Sequence, residues 1–154
     1  MPEELHTDFR EFLELLIANQ VRFLVVGGYA VSWHGRPRNT EDIDIWIDRS
    51  EENARLVVKS LVDFGVADDS LSHLPFTEED RIVEMGVKPW KIDLFTHIPG
   101  LEFAASYENR EIWPIGDLKA PMISLTDLRI CKAASGRPQD LVDLTEHLPD
   151  PSSN

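Results

Sequence analysis

The run VVGGYAVSWHGRPRNTEDIDIWID, residues 25–48, reads as strand, glycine turn, short helix, loop and second strand. Asp42 and Asp44 stand two positions apart in the second strand. Side chains at i and i+2 of a strand share a face, roughly 6–7 Å apart. Both carboxylates therefore leave one side, while Ile43, Ile45 and Ile47 leave the other. On the first strand, residues 21–26 are almost continuously apolar and β-branched, the pattern of a strand covered on both faces near the middle of a sheet. Gly27-Gly28 follow at once. Glycine permits positive φ and close approach of a ligand to the backbone. A helix opening there aims its N–H groups and positive dipole end at whatever lies above the strand. Two carboxylates opposite such a turn suit a divalent metal and a phosphate, although a Gly-Gly pair alone equally fits a tight turn with no ligand. Between them, Arg36 and Arg38 lie in a loop by composition, where a guanidinium either binds phosphate or pairs with a carboxylate.

Working outward, Phe9, Phe12, Leu13, Leu16 and Ile17 recur at helical spacing behind a predicted Thr7 cap. Ser50 caps a second predicted helix, with Ala54, Val57, Val58, Leu61 and Val62 inward and Gly65 as its stop. Residues 66–80 are polar and acidic, and read as a mobile connection with room for a further short strand or turn. Arg81–Met85 and Lys91–His97 read as strands joined by residues 86–90. Asp93 shares a face with Lys91 and Phe95, a third carboxylate on a core-type strand, although alone it fits an edge or surface position. A short helix over Leu101–Tyr107, strands over Glu111–Ile115 and Leu118–Ile123, and a Ser124- or Thr126-capped helix ending at Gly136 follow. Pro138 suits the first turn of a last helix, which carries Leu141, Leu144 and Leu148.

The chain has 154 residues and a formal charge of −13. That length fits one domain with its own core, here residues 1–148, with 149–154 as a fraying tail. One cysteine, Cys131, excludes an intrachain disulfide, and five scattered histidines argue against structural zinc. No apolar run approaches the roughly 20 residues of a membrane span, and the start lacks a basic-then-apolar leader, so a cytoplasmic location without a membrane partner is expected. The acidic balance repels a polyanion and disfavours autonomous nucleic-acid binding. A small nucleotide, screened by a metal, remains open, as does a basic protein partner.

Gly27-Gly28, Asp42-Ile-Asp44 and the later Asp93 together resemble the DNA polymerase beta-type nucleotidyltransferase superfamily. The likeness extends to small single-domain bacterial members through Val-Gly-Gly-Tyr-Ala, Arg38 and Thr40 before the acidic strand, Gly86, Pro89, Ile92 and Asp93, and the closing set Leu128, Lys132, Gly136, Arg137, Asp140 and Asp143. Lys91, where an arginine is expected in relatives, keeps the charge and loses the fork.

The resemblance implies an α/β (α+β) nucleotidyltransferase fold: a central mixed β-sheet flanked by helices, with a C-terminal helical pair. It implies transfer of a nucleoside monophosphate from an NTP, ATP being the expected one, to an acceptor hydroxyl. Two Mg2+ ions, or Mn2+ in their place, would clamp the attacking and leaving oxygens. Asp42, Asp44 and Asp93 are the implied catalytic and metal-binding residues; Gly27, Gly28, Arg38, Thr40, Lys132 and Arg137 are the implied nucleotide-binding ones. Lys132 and Arg137 equally fit ion pairs with Asp140 and Asp143. At ~5 Å and an effective dielectric near ~20, each pair of uncompensated carboxylates costs about 3 kcal/mol, so convergence of the three demands a metal or a proton.

The acceptor implied is a protein, an RNA or a small molecule. The small size leans against antibiotic modification, where an extra domain often completes the acceptor site, and the acidity leans against tRNA. A toxin–antitoxin or phage-defence setting follows by family analogy alone, with a cognate toxin or antitoxin as possible partner. The competing class is a catalytically silent nucleotidyltransferase fold acting as an antitoxin-like binding module.

Overall fold

The computed structural model describes residues 5–37, 40–87 and 90–150. Arg38, Pro89 and positions 151–154 of the expected tail lie outside the described residues. Six strands form one mixed sheet: β1 (Phe23–Val26), β2 (Asp42–Ile47), β3 (Ile82–Val87), β4 (Trp90–Phe95), β5 (Glu111–Ile115) and β6 (Leu118–Met122). Their spatial order is β3-β4-β2-β1-β6-β5. β1 runs antiparallel to β2 and parallel to β6, while β2 runs parallel to β4. β3–β4 and β5–β6 are antiparallel pairs. The apolar strand therefore sits inside the sheet, with all four of its residues buried.

Helices α1 (Thr7–Ala18), α2 (Gly27–His34), α3 (Glu51–Phe64), α4 (Phe103–Glu108), α5 (Leu125–Ser135) and α6 (Pro138–Val142) complete the fold. α1 and α3 pack on each other, with the Phe12 and Phe64 rings 5.2 Å apart. Phe9, Phe12, Leu13, Leu16, Ala54, Val57 and Leu61 from these two helices join Ile43, Ile45, Ile47, Ile92 and Leu94 in the core. No described helix is long and apolar enough to cross a membrane.

Several local expectations need correcting. The first helix is capped by His6, whose ring Nδ1 accepts from the Asp8 N–H, and Thr7 is already helical. Ser50 and Ser124 cap α3 and α5 as expected, each accepting from the N–H three residues on. The acidic connection contains no strand; it forms a 3-10 turn at Leu74–Thr77 that sinks Phe76 into the core. The last helix buries Asp140 and Asp143, whereas Leu141 faces solvent and of the three leucines only Leu148 is fully buried. The physical reason is Lys132. Its ammonium is itself buried, and a buried charge is tolerated only with paired partners. Asp140 Oδ1 and Asp143 Oδ2 supply them at 3.1 and 3.0 Å. Beyond α6 the chain turns through a π-type turn at Asp143–His147 and lies against the end of α2. There Arg36 N–H donates to His147 O at 2.8 Å, and a Cβ on Gly35 would stand 1.7 Å from that oxygen.

Asn53, which has no apolar role to flag it, is fully buried in α3. Its Oδ1 accepts from Arg22 N–H at 2.8 Å, and its Nδ2 donates to Arg22 O at 3.0 Å and Asp48 O at 2.7 Å. One side chain thus ties the entry of β1 to the exit of β2, the two strands that set the acidic face. Removing it strands partly buried backbone groups, at a cost of about 2–4 kcal/mol. Asn53→Ala is expected to lower Tm by roughly 5–15 °C in a thermal melt, a chain of this size losing about 2–4 °C per kcal/mol.

Candidate active site

The strand register builds the site row by row. Glu84, Asp93, Asp44 and Val26 stand side by side across β3, β4, β2 and β1. One step along, toward the start of β2, lie Gly86, Lys91 and Asp42. One step the other way lie Ile82, Phe95, Trp46 and Leu24. Rows two residues apart on the same strands share a face, so this face grades from charged to apolar along the strands. Trp46 closes the apolar end, buried edge-on against Phe103 at 5.2 Å.

Asp44 and Asp93 stand opposite each other in register on neighbouring strands, close enough for their carboxyls to interact directly, an arrangement that favours a shared proton or a cation. Burial, then the charges of Asp93 and Asp42, push the Asp44 carboxyl up to about 7. Burial also raises Asp93, although the neighbouring Lys91 pulls the other way. Asp93 is a buried residue of an interior strand, not the edge or surface position that it would fit in isolation. Its Oδ1 is buried and accepts no hydrogen bond; Lys91 Nζ lies 3.7 Å away. Asp42 sits next to the pair, close enough for its charge to act on both. Among the described residues, no group of three or more His, Cys, Asp or Glu is drawn together tightly enough to hold a metal ion unaided.

Gly27 opens α2 at φ +67°, and a Cβ there would stand 2.0 Å from Asp44 Oδ2. The helix start and the carboxylate are thus in direct contact, and only glycine fits between them. No side chain caps α2. Gly28 is held against Thr40, whose hydroxyl would lie 2.8 Å from an added Cβ and donates to Asp42 O at 3.0 Å. Thr40 therefore positions the start of β2 beneath the turn.

Over this face α5 and α6 enclose a cavity of about 400 Å³. Gly27 and Asp44 line it from the sheet side, and Lys132, Arg137 and Asp140 from α5, α6 and the link between them. Ile82, Phe95, Ile98, Pro99 and Leu128 give it an apolar side, with Asp80 and His97 among its polar groups. Lys132 and Arg137 do meet the site, yet both are engaged by Asp140: Arg137 Nε lies 2.8 Å from Oδ2. Burial pushes Asp140 up, but hydrogen bonds from Arg137, Ser135 and Lys132 outweigh it and hold the carboxyl well below the usual range. Cys131, also on the cavity wall, is an inert thiol: burial raises it to about 11.

Glu84 was not singled out by sequence reasoning. Strands ending at Met85 and resuming at Lys91 would set Val83 opposite Asp93. The observed pairing is one residue further on, Gly86 with Lys91, which brings Glu84 opposite Asp93. A one-residue slip exchanges the faces of a strand, and the turn that sets it left no sharper signal than Gly and Pro.

Residues 3–100 match the family described as a nucleotidyltransferase of unknown function (DUF6036), a span that includes Gly27, Gly28, Asp42, Asp44 and Asp93. No curated protein sequence matches the chain. Among solved structures, the chain is similar to the lincosamide antibiotic adenylyltransferase LnuA in its lincomycin-bound crystal structure. The identity is 18% and the TM-score 0.55, covering 93% of this chain and 96% of that one. At such identity the likeness speaks for the fold, and it agrees with the six-stranded mixed sheet flanked by helices. With well over half of its length matched, the chain belongs to this nucleotidyltransferase family, and its fold is the polymerase beta-type one.

Proposed function

We propose that this chain moves a nucleoside monophosphate from an NTP, ATP first among them, to an acceptor hydroxyl, using Asp42, Asp44 and Asp93 with magnesium. The observation that carries this is the position of Asp44. It touches the uncapped start of α2 on one side and Asp93 on the other, at the wall of a ligand-sized cavity. The donor set suits a hard divalent ion: carboxylate oxygens only, one of them buried without a hydrogen bond. Substrate phosphates would complete the shell that these residues leave open. When bound, such ions stabilise charge on the triphosphate and on both oxygens of the in-line displacement.

The chain's own residues do the rest. The N-terminus of α2 binds phosphate oxygens through backbone N–H groups and its dipole. Arg137, with its guanidinium largely in solvent and only partly used by Asp140, adds a phosphate contact, and Arg38 is a further candidate. Lys132 is paired with Asp140 and Asp143 and serves through its field, which favours the ionised form of Asp44. Asp93 would hold the ion nearer the acceptor and take the proton of the acceptor hydroxyl as the acceptor oxygen–phosphorus bond forms and the bond to the leaving pyrophosphate breaks.

The cavity fits a small-molecule or side-chain hydroxyl better than a polyanion, in line with a net charge of −13. Size is no objection to a small-molecule acceptor, because this chain spans 96% of the LnuA chain, seen with lincomycin bound. Small hydroxylated compounds are therefore the first acceptors to test. A protein acceptor in a toxin–antitoxin or phage-defence setting comes second. We place the activity in the cytoplasm, where NTPs are abundant.

The direct test is label transfer from α-labelled ATP with Mg2+, to a panel of hydroxylated small molecules and to cell lysate. Asp42→Asn and Asp44→Asn are expected to lower transfer about a thousandfold or more, the loss of several kcal/mol of charge stabilisation. Neither label transfer nor MgATP-dependent thermal stabilisation of the wild-type chain would favour the silent binding module.

A second measurement uses the Asp44 carboxyl. Its folded value near 7 lies above the ordinary carboxylate value near 4. The protonated form is the one that the fold favours, so this contribution is fully present below about pH 4 and lost as pH rises through about 7. In chelator, Tm is expected to fall across that window, and Asp44→Asn to flatten the fall. Mn2+ is expected to restore stability at pH 8 in the wild type but not in the variant.

A further inference from the structure

The carboxylate face holds more charge than the three aspartates. Glu84 stands beside Asp93 in the same row, on the edge strand β3. Lys91 stands in the next row between Asp42 and Gly86. Gly86, its partner across the ladder, has no side chain to pack against the lysine stem. From there Lys91 Nζ lies 3.3 Å from Glu84 Oε2 and 3.7 Å from Asp93 Oδ1. The first distance is a hydrogen bond and the second is not. Asp93 Oδ1 consequently stays buried with no hydrogen bond, although an ammonium is within reach.

We propose that Lys91 is a tethered counter-cation of the site, which competes with a divalent ion for Asp93, and that Glu84 weakens this competition by drawing the ammonium aside. The proposal rests on the reading in which Asp93 binds metal.

The balance of charge on this face supports it. Four carboxylates, Asp42, Asp44, Asp93 and Glu84, face one another across three strands. Among the described residues, the Lys91 ammonium lies within 3.7 Å of two of them. A divalent ion on Asp93 would meet the ammonium at close range, and like charges repel there. The ammonium then needs a second place to go, and Glu84, mostly exposed, is that place. Lysine suits this role, since a compact charge on a flexible four-carbon stem with three rotatable donors passes between two carboxylates. Arginine, with its planar fork, would lock onto one of them. Through this device Lys91 offsets part of the site's negative charge until metal arrives, and the threshold for metal is set by a residue that need not touch it.

The test is Mn2+ binding to the full chain without nucleotide, read by electron paramagnetic resonance of the free ion. Lys91→Met is expected to tighten binding by about tenfold, the gain from removing a like charge at close range. Glu84→Gln is expected to weaken it severalfold, because Lys91 then leans wholly on Asp93. The double variant is expected to bind like Lys91→Met alone, since Glu84 acts only through the lysine. Melting curves establish that each variant is folded; Glu84→Gln changes only an exposed side chain. Equal or weaker binding by folded Lys91→Met would overturn the proposal, and so would a double variant weaker than Lys91→Met, which would make Glu84 a ligand. If the wild type binds Mn2+, Asp93→Asn does not and Lys91→Met is unchanged, this inference alone falls. If neither wild type nor Lys91→Met binds Mn2+ at millimolar concentration, this inference falls, while the metal-site reading, in which substrate phosphates complete the shell, stands or falls separately on MgATP-dependent label transfer.

Discussion

Two carboxylates in register on adjacent interior strands are the constraint around which this molecule is arranged. Asp44 and Asp93 cannot both be ionised and buried side by side without positive charge nearby. Several neighbours answer that demand. Lys91 stands beside them, the positive end of α2 abuts Asp44, and the field of Lys132 reaches it. A chain selected only for stability would replace such a pair with apolar residues, as its neighbours Ile43, Ile45 and Leu94 show on the other face. Charge kept at that cost indicates a use for it.

The same economy of charge organises the C-terminal elements. Lys132 is buried on α5, and the two aspartates it needs come from the next helix and the turn after it. The pairing helps fix how α6 lies on α5. It also uses up most of the cationic capacity of that wall. Lys132 is thus a fixed element of the cavity, whereas Arg137, anchored by one edge, keeps donors to spare.

The sheet was legible because its strands are apolar, β-branched and separated by glycine and proline. Ser50, Gly65, Ser124 and Gly136 marked helix ends by ordinary capping chemistry. The acidic face was legible in β2 and β4 because alternation fixes sides within a strand. What could not be read was anything that depends on which residues meet across elements. Asn53 looked like a first-turn polar residue, and only the fold shows it clasping two strand ends. Asp140 and Asp143 fit as partners of Lys132 from the sequence, but only the packing of α6 on α5 shows that both meet it and are buried there. Glu84 depended on hairpin register, which a single residue in the turn decides. Periodicity reports sides and not partners, so buried polar contacts are where it fails.

The cavity has walls of two different provenances. Gly27 and Asp44 lie within the span shared with the family, whereas Leu128, Cys131, Lys132, Ser135, Arg137 and Asp140 lie beyond residue 100. The charged floor and the roof above it can therefore diverge at different rates. Substitutions in α5 and α6 would reshape what the cavity admits while the carboxylate face below stays as it is. A fold divided in this way can change clientele without rebuilding its chemistry, and relatives alike in their first hundred residues need not share a substrate.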